Sequence, residues 1–254
     1  MPRLLAVIPH PDDEAYSFGA TLAAAAASGW DCRLQCASAG ERGRRFDGGP
    51  EGPGPLGTAR EGELARSCRV LGLPRPDCWG LPDGQLRNEP SHWERVANQL
   101  TSFVPDVVLC LGPDGAYGHP DHIAVWHWVS SAWEATGRRS ALLFPAFPAG
   151  LFAPQWEKCR AMMGDPPDPP VESIGRWPVH YELRTGALGT TKLSAIAAHR
   201  TQLPGGNAEG LFPAGLVTAL LPVERFSDAT GAPQEQVRAW FARWQRAANQ
   251  AHTD

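Results

Sequence analysis

Two short runs of this sequence carry residue types able to do chemistry: His10-Pro11-Asp12-Asp13-Glu14 and, about a hundred residues later, Tyr117-Gly118-His119-Pro120-Asp121-His122. Each sets imidazoles and carboxylates a few positions apart in a turn-like His-Pro-Asp context. Together they offer two histidines and a carboxylate to a metal ion, with a carboxylate and a histidine to spare for proton transfer. That is the inventory of a metal-dependent hydrolase. Adjacent side chains in extended or turn backbone point in different directions, so one of Asp12 and Asp13 can bind an ion while the other faces water. His119 and His122 lie three apart at a helix start, nearly on one face, so one can ligate while the other meets substrate.

Both runs must be held at one place by the elements before them. Arg3–Ile8 reads as a buried strand, Tyr16–Ser28 as a helix closed by Gly29, and Asp31–Ala37 as a second strand. Gly40–Gly57 reads as an unusually long loop, rich in Gly, Pro and Arg, of the kind that often serves as a lid. Thr58 is a helix cap for a segment to about Leu71, and Ser91–Phe103 a further helix. Asp106–Leu111 is a strand, Pro120–Ala135 a helix and Ala141–Pro145 a strand. Strand–helix alternation argues for an α/β fold with a mostly parallel sheet covered on both faces. In such sheets sites form beyond the carboxyl ends of the strands, where both runs fall.

Beyond Phe147 the pattern weakens. Asp165–Pro178 is dense in Pro and Gly, Leu188–Arg200 looks helical, Leu216–Leu221 strand-like, and Gln234–Asn249 a terminal amphipathic helix. The expectation is one domain, residues 1–254, with a core over 1–147 and an irregular elaboration over 148–254.

Composition is that of an ordinary globular protein: 254 residues, 43% hydrophobic and 20% charged. A net charge of −4 gives no electrostatic reason to expect nucleic acid or an anionic membrane as partner. The first apolar run is far shorter than a signal sequence or the ~20 residues of a membrane span, so the chain reads as cytoplasmic. Six cysteines without a Cys-x-x-Cys pair read as buried reduced thiols. A monomer and a homo-oligomer both stay open.

The two runs resemble those of the LmbE-like, or PIG-L, zinc-dependent N-acetylglucosaminyl deacetylases. Three further segments are similar: Arg60-Glu61-Gly62-Glu63-Leu64, Leu81-Pro82-Asp83-Gly84, and Lys192–Gln202 with its Ala-Ala-His-Arg-Thr-Gln ending. The resemblance implies a Rossmann-like three-layer sandwich. It implies His10, Asp13 and His122 as ligands of Zn2+, with Fe2+ as the other metal to consider. Asp12 would be the general base, and His119 would stabilise the oxyanion or protonate the leaving amine, oriented by Asp121. Tyr117 would help polarise the carbonyl, and Arg60 and Asp83 would bind the sugar or its substituent. The implied reaction removes acetyl from a small N-acetylglucosaminyl substrate, such as an N-acetylglucosaminyl-malate.

Other readings compete. His10-x-Asp12 with a distal histidine also suits a non-haem Fe(II) oxygenase, and a non-catalytic sugar- or metal-binding protein would need the ligands but not Asp12. Glu14 reads as a helix-start carboxylate favoured by the dipole. His199 and Gln202 divide between helix packing and a pocket role. The ten Trp read mainly as core, with Trp30, Trp79 or Trp177 able to line a sugar site.

Overall fold

A computed structural model describes residues 1–88, 90–163 and 170–250. Strand β1 (Arg3–Ile8) leads into helix α1 (Asp13–Ala27), then β2 (Asp31–Ser38), α2 (Pro53–Val70) and β3 (Asp77–Leu81). Helix α3 (Trp93–Phe103), β4 (Val107–Cys110), the single kinked turn α4 (Gly115–Gly118), α5 (Pro120–Ala135) and β5 (Ala141–Pro145) follow. The remainder holds α6 (Ala153–Met163), β6 (Tyr181–Arg184), α7 (Leu188–Ala197), α8 (Leu216–Leu220), β7 (Val223–Asp228) and α9 (Glu235–Gln250). The strands form one seven-stranded sheet in the order β3-β2-β1-β4-β5-β7-β6. The first five are parallel, whereas β7 runs antiparallel to both β5 and β6.

Alternation along β1 sets up the layers, because successive side chains point to opposite faces. Leu4, Ala6 and Ile8 join one core with α1 and the terminal helices; Leu5 and Val7 join a second with α3 and α5. Helix α1 is largely apolar and buried along most of its length, with Glu14, Ser17 and Thr21 buried among its apolar residues, as a helix enclosed by sheet and other helices. The chain leaves β1 toward β2 on one side and returns in β4 on the other. That reversal opens a crevice at their carboxyl ends.

Several expected boundaries move. α1 begins three residues earlier than Tyr16, at Asp13, and α2 begins at Pro53, whose fixed φ suits a first helical turn. The long loop is therefore shorter than Gly40–Gly57. Leu216–Leu220 is a helix, not a strand: a five-residue apolar run carries no period that could separate the two. Strands β3, β6 and β7 and helix α6 had no counterpart in the sequence reading. Asp165–Pro169 lie outside the described residues. No described helix is long and apolar enough to cross a membrane.

Candidate active site

The crevice between β1 and β4 collects both motifs. After Ile8 the chain turns through Pro9, His10 and Pro11 to Asp12, whose backbone takes φ 114°, ψ −26° before α1 starts. After β4, Asp114 caps the α4 turn by accepting from the Ala116 amide at 3.1 Å. Ala116 itself sits at φ 65°, ψ −46°, a strained reversal that throws Tyr117 over the site. His119 then caps α5, with Pro120 as its first residue.

Three imidazoles converge: His10, His119 and His122 each bring a ring nitrogen within 4.8 Å of the others. His10, Asp83 and Asp121 form a second such group. Asp13 lies between His10 and His122, with Oδ2 3.6 Å from His10 Nδ1 and Oδ1 3.6 Å from His122 Nε2. Those separations exceed hydrogen-bond reach. They are close to the ~3.4 Å edge expected between ligands each ~2.1 Å from one tetrahedral ion.

What each ring meets on its outer side fixes its proton. His10 Nε2 lies 3.1 Å from Asp83 Oδ1 and 3.2 Å from Asp121 Oδ2, so Nε2 carries the proton and the Nδ1 side faces Asp13. His122 Nδ1 lies 3.1 Å from the Gly115 carbonyl, so Nδ1 carries the proton and Nε2 keeps its lone pair toward Asp13. His119 is the reverse. Its Nδ1 accepts the Asp121 amide at 3.2 Å, so a neutral ring must present an N–H from Nε2.

The electrostatics make two of the three rings neutral and keep the third charged. Burial lowers His122 to about 4, and burial, reinforced by His122 and His10, holds His119 well below the usual range. Both rings are therefore neutral near pH 7. Burial would lower His10 too, but hydrogen bonds to Asp121, Asp13 and Asp83 hold it well above. Burial would raise Asp13, yet His122 and His10 keep it well below the carboxylate range. Asp12 goes the other way: burial pushes it up to about 7 against the pull of Arg60.

Three of the expected site residues have partners within the protein. Asp121 was expected to orient His119, but its carboxylate touches His10 and accepts from Gly84 N at 2.7 Å and Leu86 N at 3.1 Å. Only its backbone amide reaches His119. Arg60, expected to meet sugar, is engaged within the protein: Nη1 donates to Gly40 O at 2.7 Å, and Nη2 donates to Pro11 O at 2.5 Å and to Asp12 Oδ2 at 3.2 Å. Gly40 has φ 63°, and a Cβ there would collide with that guanidinium. Asp83 also holds His10 and accepts the Arg42 amide at 2.9 Å. Glu14 lies in the first turn of α1, as expected, and is there a fully buried acceptor.

A cavity of about 470 Å³ opens over these groups, lined by His10, Asp12, Asp13, Arg60, Asp83, Tyr117, His119, Asp121 and His122. Arg42, Gln155, Gln202, Leu211 and Phe212 also line it. Apart from Gln202, sequence reasoning missed these, because they come from the loop after β2 and from the C-terminal elaboration, where no local motif marks them. That loop is docked by Arg42 N on Asp83, by Asp83 N on Glu41 Oε1 at 2.8 Å and by Phe46 N on Thr201 O at 2.8 Å. Trp30 packs between Trp240 and Trp244, Trp79 lies in the α3–α5 core and Trp177 donates to Asp114, so none lines the cavity.

Residues 5–133 match the PIG-L family model, described as GlcNAc-PI de-N-acetylase. The chain belongs to the PIG-L family. Over 193 residues it is 33% identical to the 1D-myo-inositol 2-acetamido-2-deoxy-α-D-glucopyranoside deacetylase of Streptomyces avermitilis, covering 67% of this chain but only 63% of that relative. The protein of the same name from Thermobispora bispora is 29% identical, over 92% of this chain and 90% of its own. The N,N'-diacetylchitobiose deacetylase of Pyrococcus horikoshii shares the fold, with a TM-score of 0.65 at 20% identity over 92% of this chain and 88% of that one.

Proposed function

We propose that this PIG-L protein is a zinc-dependent amide hydrolase that removes the acetyl group from a small molecule containing N-acetylglucosamine. The observation that carries the reading is the partnering of the three histidines. It turns His10 Nδ1 and the lone pair of His122 Nε2 toward Asp13 from either side and aims an N–H from His119 into the same cavity. His10, Asp13 and His122 would hold the ion once His10 gives up its Nδ1 proton, and two imidazoles with one carboxylate would leave a coordination position open. An ion there supplies Lewis-acid chemistry, lowering the pKa of water toward ~7 and polarising the amide carbonyl. Asp12, held by Arg60 beside Asp13, takes the proton of the attacking water and returns it to the departing amine nitrogen. His119 Nε2–H and the Tyr117 hydroxyl donate to the oxyanion of the tetrahedral intermediate. Asp83, Gln155 and Gln202 offer polar contacts to sugar hydroxyls, while Leu211 and Phe212 cover an apolar side.

We take residues 1–254 as one domain, since β6 and β7 extend the same sheet as β1–β5. The six unpaired cysteines support a cytoplasmic setting. The oxygenase alternative loses its footing: Asp12 faces Arg60, and the fold is no β-barrel. The test is to incubate the zinc-loaded protein with 1D-myo-inositol 2-acetamido-2-deoxy-α-D-glucopyranoside and with N,N'-diacetylchitobiose and to measure acetate and free amine. Equal amounts of both products support the reading. Oxygen consumption without acetate, or binding without turnover, would replace it.

A further inference from the structure

Behind Asp12, outside the cavity, lies a fully buried cluster that the proposed chemistry does not use. Glu14 and His199 are both 0% exposed. Glu14 Oε2 accepts the backbone amide of Asp12 at 3.0 Å. Glu14 Oε1 accepts Ser67 Oγ at 2.5 Å and lies 2.7 Å from His199 Nε2. His199 Nδ1 has no hydrogen-bond partner. The imidazole therefore spends its only polar contact on Glu14.

The backbone gives this cluster its meaning. Asp12 takes φ 114°, a left-handed conformation that a side chain other than glycine adopts only under strain. Something must overdetermine it. The carbonyl before it and its own carboxylate are held by Arg60, and its amide is held by Glu14. Arg60, Glu63 and Ser67 lie along one face of α2, and Glu63 accepts Thr201 N at 2.8 Å and Thr201 Oγ1 at 2.6 Å. The turn at residues 199–202 is thus locked onto the helix that also grips Asp12. Nearly two hundred residues of chain separate His199 from Glu14, so no short-range requirement of α1 calls for this pair.

We propose that Glu14 and His199 are positioning residues for Asp12: His199 and Ser67 fix the Glu14 carboxylate, which holds the Asp12 amide and so the left-handed turn that splits Asp12 from Asp13. The proposal rests on the reading of Asp12 as the base, but its first test does not. In the metal-free protein, the Asp12 amide donates to a buried carboxylate, and its 15N–1H resonance and hydrogen exchange report that bond. Ser67→Ala and His199→Gln should each raise exchange at Asp12 at least tenfold while leaving the α1 amides from Leu22 to Ala25 unchanged. Ser67→Ala, which removes one donor of Glu14 and no charge, keeps the test open if His199→Gln does not fold. No change at Asp12 in a folded variant, or a uniform rise along α1, would overturn the proposal.

The second test is a double-mutant cycle on acetate release at saturating substrate. His199→Gln in the wild-type background should lower kcat by up to ~10²-fold, the cost of a small misplacement of a reacting group, with KM and zinc content unchanged. In an Asp12→Asn background the same substitution should cost less than twofold, because its target is already gone. Equal costs in both backgrounds would show a merely structural pair. Absence of acetate from the wild type would sink the hydrolase reading, while the exchange result would still decide whether Glu14 and His199 hold the Asp12 turn.

Discussion

Three imidazoles of one residue type sit within 5.3 Å of each other between ring centres, yet their surroundings give them different work. A carboxylate behind His10 and a carbonyl behind His122 each make the ring a better donor toward an ion. An amide behind His119 does the opposite. From the sequence, the three-residue spacing of His119 and His122 could say only that the two differ, and nothing local shows where the Asp121 carboxylate goes. The reason is physical: the Asp121 carboxylate is taken by the Pro82–Leu86 turn and His10, contacts more than thirty and a hundred residues away that no local pattern encodes. This relocation has a consequence. Asp121→Asn should weaken zinc binding ~10–100-fold, as loss of a carboxylate behind a ligating histidine does, and competition with a chelator of known affinity measures it. An unchanged zinc affinity with lowered kcat would instead return Asp121 to His119.

At the scale of elements, the parts nearest the site were the most legible. β1, α5 and β5 match their expected bounds because each has a clear apolar run or a capped start. β6 alternates buried and exposed residues over only four positions, and its charged Glu182 and Arg184 hide it. β7 likewise buries Glu224 in the sheet. The 199–202 turn was ambiguous in sequence and proves to be two things at once, with His199 beneath the site and Gln202 in its wall. Its titration is informative. Burial would lower His199, but Glu14 raises it above its ordinary 6.5. A folded-state pKa above the unfolded one means the pair stabilises fully below about pH 6.5 and loses that contribution as pH rises through the raised value. Urea unfolding of the metal-free protein between pH 6 and 9 should therefore show stability falling more steeply in the wild type than in His199→Gln. Parallel curves would contradict the assignment.

For the whole molecule, a five-stranded parallel sheet supplies the crevice and the antiparallel extension β7–β6 secures its rear. The fastening is a buried ion pair. Lys192 Nζ donates to Glu224 at 2.7 Å and to Leu220 O at 3.1 Å, while Glu224 also accepts from Ala20 N, Thr21 N and Thr21 Oγ1 in α1. Glu224→Ala leaves the buried Lys192 without its carboxylate and removes the acceptor shared by three donors of α1, so it should cost about 3–5 kcal/mol in urea unfolding. A loss below 1 kcal/mol would mean α1 is held by its apolar contacts alone. The α/β class and the convergence of the two motifs could be read from strand–helix alternation, whereas this fastening could not, since Lys192 and Glu224 look like surface charges in sequence. The central claim is the division of labour between His119 and His122, and bound zinc measured together with acetate release in the two alanine variants tests it most directly. His119→Ala should keep close to one zinc per chain while kcat falls ~10²–10³-fold, and His122→Ala should lose zinc and activity together. Equal loss of zinc in both variants would contradict it and make His119 a ligand.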